Sequence, residues 1–428
     1  MRVLIVHYRY FVSGGPERYL FNVKRVLEEH GHEIVPFSIG YRRNEESEWA
    51  RYFARPIAGD DEAYYDEFTW TPRSTVRALK ASFYSPETRR SLSRLLRDAR
   101  PDVALVLQYL RWLSPSILSA LRAAGVPVVQ RLSDFEMVCP EAHLTRDGEP
   151  CERCVGRLPF PSVRYRCVHG SRVASGVELM ARACHRGAHL FDAVDTFVAP
   201  TPFMREMMVL GGWPSERVRV IPTPVPSRPE GDGEGRDTLL YVGRIDRLKG
   251  VFVLIDAYAQ LLQRLGSRAP KLVFVGDAEG PEGSELAARS ADLGLGDRVV
   301  FAGSQDAQGV GRWLDKAILS VVPSICRDNL PNSLLESLAA GVPVIVSDQP
   351  TLREALGGSG AGSVVPVGDP AKLAVAIEEM LDDPERVAAA GRAARRLARE
   401  RYSEEAHLDA LTGLFDELIR SKRGGMSS

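Results

Sequence analysis

Two carboxylates, Asp328 and Glu336, stand eight residues apart in the stretch 322–346, VPSICRDNLPNSLLESLAAGVPVIV. A carboxylate at the end of a strand or in the first turn of a helix accepts hydrogen bonds from hydroxyl groups, such as those of a sugar or a ribose. The plainer alternative has Asp328 capping a helix and Glu336 facing solvent. A second set, Arg244 and Lys249, lies in Gly243-Arg244-Ile245-Asp246-Arg247-Leu248-Lys249-Gly250. A guanidinium and an ammonium that reach one place beside a helix N-terminus suit phosphates; the alternative is two surface cations. A third set is Cys139, Cys151, Cys154 and Cys167, spaced C-x11-C-x2-C-x12-C.

Regular strand–helix alternation positions the first two sets. Ile318–Val322 reads as a buried strand, Pro331 opens a helix over Asn332–Ala340, Gly341 ends it, and Val342–Val346 returns as a strand. Thr238–Val242 precedes the Arg244–Lys249 loop, and a helix starts at Val251. Lys271–Val275 with Gly276-Asp277, then Arg298–Ala302, continue the pattern, which makes residues 238–367 a Rossmann-like parallel sheet. The N-terminal half begins the same way: strand Arg2–His7, turn Ser13-Gly14-Gly15-Pro16, helix Glu17–His30 closed by Gly31, and strand Ile34–Phe37. Such a turn offers free backbone N–H groups to an anion, although packing alone also accounts for two glycines; it is not the GxGxxG of nicotinamide sites. Asp134 directly follows a strand over Pro127–Arg131, as a site residue or a helix cap. Val194–Ala199, a helix after Thr201-Pro202 and Val218–Ile221 complete the first half.

Asp328 and Glu336 with Pro331 between them, the ending A-A-G-V-P-V-I, the G-R-x-x-x-x-K-G of 243–250 and S-G-G-P-E-R at 13–18 together resemble retaining glycosyltransferases of family 4. The resemblance covers nearly the whole chain and implies the α/β architecture called GT-B, two Rossmann-like domains with a cleft between them. It implies a domain at 1–224 on the acceptor side, with a cysteine-rich insertion at 139–167 and a C-terminal helix at 403–420 packed back onto it. A linker at 225–237 and a nucleotide-sugar domain at 238–402 follow. It further implies transfer of a sugar from a nucleotide-diphosphate donor to a hydroxyl acceptor, with Arg244 and Lys249 on the diphosphate, Asp328 on the sugar and Glu336 on the ribose. Asp277 would lie near the base, with main-chain groups of Gly14, Gly15 and Asp328–Asn329–Leu330–Pro331 around the donor. Two departures stand out: Asp328 where glutamate is commoner, and Ser133-Asp134 where the family commonly has His-Asp. The chain has no D-x-D, so no catalytic metal is expected. A sugar-nucleotide epimerase on the same fold, a non-catalytic nucleotide-sugar binder and a zinc-built interaction module are the alternatives.

The four cysteines suit a tetrahedral structural zinc, because a CxxC knuckle flanked by two further thiols in a loop poor in core residues needs a staple. His143 or His169 could replace one ligand; unrelated free thiols or a redox CxxC are the other readings. A four-cysteine insertion at this place also occurs in a subgroup of the resembling family. Cys184 and Cys326 read as buried thiols. Residues 41–100 are aromatic (Trp49, Tyr52, Phe53, Tyr64, Tyr65, Phe68, Trp70) and then basic, from Arg73 to Arg100 on two helices. Such a face is either solvated or set against an anionic membrane or phosphorylated acceptor. The chain has 428 residues with 55 Lys and Arg against 56 Asp and Glu, a size for two α/β domains and a balance that gives no reason to expect nucleic-acid binding. Neither a signal peptide nor a membrane span is expected, which points to the cytoplasm, with contact at the inner face of the membrane through the basic helices. Ser421–Ser428 reads as a disordered tail.

Overall fold

The computed structural model describes residues 1–59, 61, 67, 68, 70–229 and 235–425. Tyr64 and Tyr65, the linker glycines 231 and 233, and the last three residues lie outside the described residues.

In chain order the first half holds β1 (Arg2–Val6), α1 (Gly15–Glu29), β2 (Glu33–Phe37), α2 (Pro72–Phe83), α3 (Pro86–Ala99), β3 (Val103–Val106), α4 (Ser116–Ala123) and β4 (Val128–Arg131). A small hairpin, β5 (Thr145–Arg146) and β6 (Glu149–Pro150), then leads into α5 (Phe160–Arg164), α6 (Arg172–Gly187), β7 (Thr196–Ala199), α7 (Pro202–Leu210) and β8 (Val218–Val220). The second half opens with β9 (Thr238–Val242), α8 (Val251–Leu265), β10 (Lys271–Val275), α9 (Pro281–Asp292), β11 (Val299–Phe301), α10 (Ala307–Lys316) and β12 (Ala317–Val322). It closes with α11 (Asn332–Ala339), β13 (Val344–Ser347), α12 (Pro350–Leu356), β14 (Gly362–Val365), α13 (Pro370–Leu381), α14 (Pro384–Arg401) and α15 (Glu404–Gly425).

The strands make two parallel six-stranded sheets, ordered β2-β1-β3-β4-β7-β8 and β11-β10-β9-β12-β13-β14. Runs such as Val3–Val6, Val103–Val106 and Leu239–Tyr241 are buried throughout, as a sheet covered by helices on both faces requires. In each sheet the strand order reverses once, between β1 and β3 and between β9 and β12. Ligands bind beyond the carboxyl ends of strands at such reversals. The Arg244–Lys249 loop leaves β9 and the Asp328 loop leaves β12, so both expected donor loops flank the reversal of the second sheet.

The chain crosses back at its end. Val225 donates its N–H to the Tyr402 carbonyl at 2.8 Å, and α15 then packs on α1 of the first domain through Leu408, Leu411, Leu414 and Phe415. The helix does not stop at residue 420. It runs to Gly425, where a disordered tail is read from the sequence, because Lys422 pairs with Asp195 at 2.9 Å and Arg423 with Asp102 at 3.3 Å. Pro331 stands just before the first helical residue of α11 rather than within it.

Candidate functional site

The two loops of the second domain are locked to each other. Gly250 has φ +74°, and a Cβ there would lie 1.9 Å from the Pro323 carbonyl oxygen. The Ile325 N–H donates to the Leu248 carbonyl at 2.8 Å. This packing brings the Lys249 ammonium onto the Asp328 carboxylate as a short hydrogen-bonded ion pair. Ser324 Oγ donates to the other Asp328 oxygen at 2.5 Å, and Cys326 Sγ lies 3.7 Å from the pair. Burial opposes the charge on Lys249, but Asp328 beside it raises its pKa above the ordinary lysine value. Arg244 reaches into the open with its side chain largely exposed, tethered at 3.2 Å to Asp246, whose own carboxylate caps the turn at the Lys249 N–H. Asp277 is exposed and closes a turn onto the Glu279 N–H. Its loop is pressed against Gly243, since a Cβ on Gly276 would sit 2.0 Å from the Gly243 carbonyl oxygen.

Glu336 lies in the second turn of α11. Its Oε1 is 3.4 Å from Arg18 Nη1 of the first domain; its Oε2 is buried without a hydrogen-bond partner. Burial raises its pKa above the ordinary carboxylate range, and Arg18 works against that rise. Gly15 faces the same helix N-terminus, 3.6 Å (from its ideal Cβ) to Asn332 Nδ2, so the Gly14-Gly15 loop does reach the cleft. Glu17 does not: it is buried inside the first domain near His7 and Arg9. Leu330 is a buried core residue, and Asn329 donates through Nδ2 to the Leu132 carbonyl across the cleft at 3.1 Å, leaving its buried Oδ1 unpartnered.

Asp134 stands on the opposite wall. It accepts from Gln108 Nε2 at 2.5 Å and from the Glu136 N–H at 2.8 Å. Glu136 escaped the sequence reading. Burial, with Asp134 and Glu178 nearby, pushes its pKa up to about 7 against the pull of Arg111, to which it is paired at 2.8 Å. Ser133 is committed to the buried Arg131 guanidinium at 2.9 Å.

The four cysteines are free thiols, Cys139 buried and the other three partly so. Burial pushes the Cys154 thiol up to about 11, with Cys139, Cys167 and Cys151 adding to the rise. Among the described residues, however, no three His, Cys, Asp or Glu side chains converge as a metal site, so the tetrahedron read from the spacing is not drawn together. Cys184 is exposed, not buried, because α6 turns Ser175, Glu178, Ala181 and His185 inward instead. Cys326 is buried, but against Asp328.

Two doubly wound domains, with a cationic and an acidic loop joined at the sheet reversal of the second, define the GT-B fold. Residues 14–224 match the family model described as glycosyl transferase 4-like domain, and residues 227–397 match the one described as glycosyl transferases group 1. It is 31% identical over 282 residues to a D-inositol 3-phosphate glycosyltransferase of Frankia alni, covering 64% of each chain. The chain spans less than two thirds of the length of the curated relatives it matches. In fold it is similar to sucrose-phosphate synthase from Thermosynechococcus elongatus, with a TM-score of 0.69, 20% identity and coverage of 98% and 99%. It is also similar to the Anabaena HepE protein in complex with UDP-glucose, with a TM-score of 0.62, 16% identity and coverage of 98% and 100%.

Proposed function

We propose that the chain is a retaining glycosyltransferase that moves a sugar from a nucleotide-diphosphate donor to a hydroxyl acceptor. The observation that carries this is the donor end of the cleft. Lys249 and Arg244 supply cations for a diphosphate, Asp328 lies beside them where a sugar would follow, and Glu336 keeps a buried oxygen with no partner where ribose hydroxyls would donate. In the transfer, the acceptor oxygen bonds the anomeric carbon as the bond to the donor phosphate breaks. The departing phosphate oxygen takes the acceptor proton, on the same face of the sugar. Lys249 and Arg244 stabilise the charge left on the diphosphate, which is the term that needs no bound metal. Asp134, on the acceptor wall, orients the incoming hydroxyl. Nucleotide-diphosphate release across a panel of nucleotide sugars tests the reading; no nucleotide binding at all would end it.

A structural zinc on Cys139, Cys151, Cys154 and Cys167 belongs to the same proposal. Its support is the donor set itself: Cys139 and Cys151 lie close enough to raise the thiols of Cys154 and Cys167, in a loop with little core of its own. One equivalent of zinc in the purified protein, lost in Cys151→Ser with Cys154→Ser, is the expected result. A peripheral contact with an anionic membrane is supported by α2 and α6. Val76, Leu79, Val173 and Met180 are exposed there among the basic residues, while among the described residues no helix is long and apolar enough to cross a membrane. The open groove beside α3, lined by Arg51, Arg55, Arg89, Arg90, Arg94 and Arg97, gives that side a basic character.

A further inference from the structure

A groove of about 960 Å³ runs along α3 in the first domain and shares none of the residues placed at the cleft. Its walls are α3 and the segment 51–55. The walls are tied at both ends. The Tyr52 hydroxyl, on a ring buried in the first-domain core, donates to Asp98 near the C-terminus of α3. At the other end Arg55 pairs at 3.3 Å with Glu87 in the first turn of α3. Leu92, Leu95, Leu96 and Ala99 fix the opposite face of the helix in the core. The groove is thus formed before any ligand arrives, which avoids the entropy loss of ordering a mobile site.

The same contacts commit both acids of α3, Glu87 and Asp98. Arg51, Arg89, Arg90, Arg94 and Arg97 line the groove, all exposed, and among the described residues none of them has a carboxylate partner. A solvated helix of this domain is built differently: on α1, Lys24 pairs with Glu28 and Arg25 with Glu29. Arg90, Arg94 and Arg97 instead repeat one sign of charge at i, i+4 and i+7, a pattern unfavourable for a helix on its own. Such a stripe does not make a site, since α14 carries Arg392, Arg396 and Arg399 at the same spacing. What sets α3 apart is the facing wall, where Arg51 and Arg55 bring cations from the other side. Every cation is an arginine, whose fork takes two oxygens of a phosphate at once. The stripe from Arg90 to Arg97 covers about 10 Å of helix axis, which suits several phosphates in series. None of the exposed large hydrophobic residues lines the groove, in contrast to the face of α2 and α6, so it offers no place for a lipid tail. Half-buried Phe53 and Tyr84 give ring surface to the backbone between phosphates.

We propose that this groove binds a linear phosphate-bearing chain, a polyol or saccharide with phosphates at intervals, between its two arginine walls. The proposal stands apart from the glycosyltransferase reading, because its test reads binding at the groove alone. Short-chain inorganic polyphosphate, inorganic monophosphate and vesicles of phosphatidylglycerol with phosphatidylcholine are the probes. Binding to the full chain is measured over a range of salt for the wild type and three variants. These are Arg90→Ala with Arg94→Ala and Arg97→Ala; Arg51→Ala with Arg55→Ala; and, as a charge-matched control, Arg392→Ala with Arg396→Ala and Arg399→Ala. The wild type and the α14 variant should bind polyphosphate alike, and monophosphate should not bind measurably. Both groove variants should bind polyphosphate about tenfold more weakly or worse. In the α3 variant the slope of log affinity against log salt should become shallower by about 2, three phosphate contacts at about 0.7 each on a flexible chain. Thermal melts check folding; should the α3 variant not fold, the Arg51 and Arg55 variant decides alone. Equal loss in the groove and α14 variants reveals a general charge effect and overturns the site. A wild type that binds the vesicles but not polyphosphate also overturns it, and makes α3 a membrane contact instead.

Discussion

Lys249 and Asp328, 79 residues apart in the chain, form a partly buried hydrogen-bonded ion pair at the reversal of the second sheet. The pair poises the cation for a diphosphate while holding the acid where the adjoining sugar would be. Lys249→Ala removes a charge that is needed most when the diphosphate departs. Turnover should fall about 100-fold or more, as for loss of one transition-state donor. Asp328→Asn should behave differently. It frees the ammonium, so nucleoside diphosphate binds at least as tightly as before while turnover collapses. Equilibrium binding and diphosphate release, measured side by side on both variants, check this.

Glu336 is held above the ordinary carboxylate range by burial, with one oxygen unpartnered. A raised carboxylate binds its proton more tightly in the folded chain than in the unfolded one. Its contribution to stability is therefore present at low pH and is lost as pH rises from the unfolded carboxylate value through the folded one. Glu336→Gln should leave the free protein no less stable at neutral pH, since it removes a costly buried charge. Donor affinity should nevertheless fall about tenfold or more, because the amide offers one acceptor oxygen instead of two. Thermal melts with and without nucleotide sugar separate the two effects.

The sequence made the second-domain loops legible because each acid or cation there follows a buried strand and precedes a glycine- or proline-marked helix. Strand ends place such loops together whatever the rest of the fold does. What joins the two domains was not legible. Arg18 to Glu336, Asn329 to Leu132 and Arg327 to Glu152 are single pairs between distant segments, and no periodicity marks them. Cys184 illustrates a different failure. The inward face of α6 carries Ser175, Glu178 and His185, so the apolar residues Val173 and Met180 point outward and hydrophobicity is a false guide to burial. Residues 421–425 read as part of a disordered tail because they lie at the chain end, but Lys422 and Arg423 pair there with Asp195 and Asp102.

Gly250→Ala should be severely destabilising. The position combines a left-handed φ of +74° with a backbone oxygen 1.9 Å from where the methyl would sit, and that oxygen belongs to Pro323 at the root of the Asp328 loop. Neither loop can yield without giving up the Leu248–Ile325 hydrogen bond. A loss of about 2 kcal/mol or more is expected from denaturant unfolding. Donor binding should fall with it, since separating the loops separates Lys249 from Asp328.

His407 ties α15 to the first domain and should make that tie sensitive to acid. Its Nδ1–H donates to the Pro222 carbonyl at 2.7 Å, which leaves Nε2 to accept from the Tyr19 hydroxyl at 3.1 Å. Only the neutral ring makes both bonds in this sense, and Arg131, stacked over the Tyr19 ring at 4.0 Å, adds a positive charge nearby. Burial, partly offset by the Pro222 bond, lowers the pKa to about 4. The unfolded chain, with a histidine near its ordinary value of about 6.5, binds a proton that the folded chain refuses. The stabilisation is complete above that value and is lost as pH falls from about 6.5 towards about 4. It amounts to about 3 kcal/mol for a shift of this size. His407→Gln keeps a donor and an acceptor but cannot titrate. Unfolding midpoints measured from pH 7 down to pH 4 should fall less steeply for the variant than for the wild type. Parallel slopes would show that protonation of this ring does not release the crossover helix.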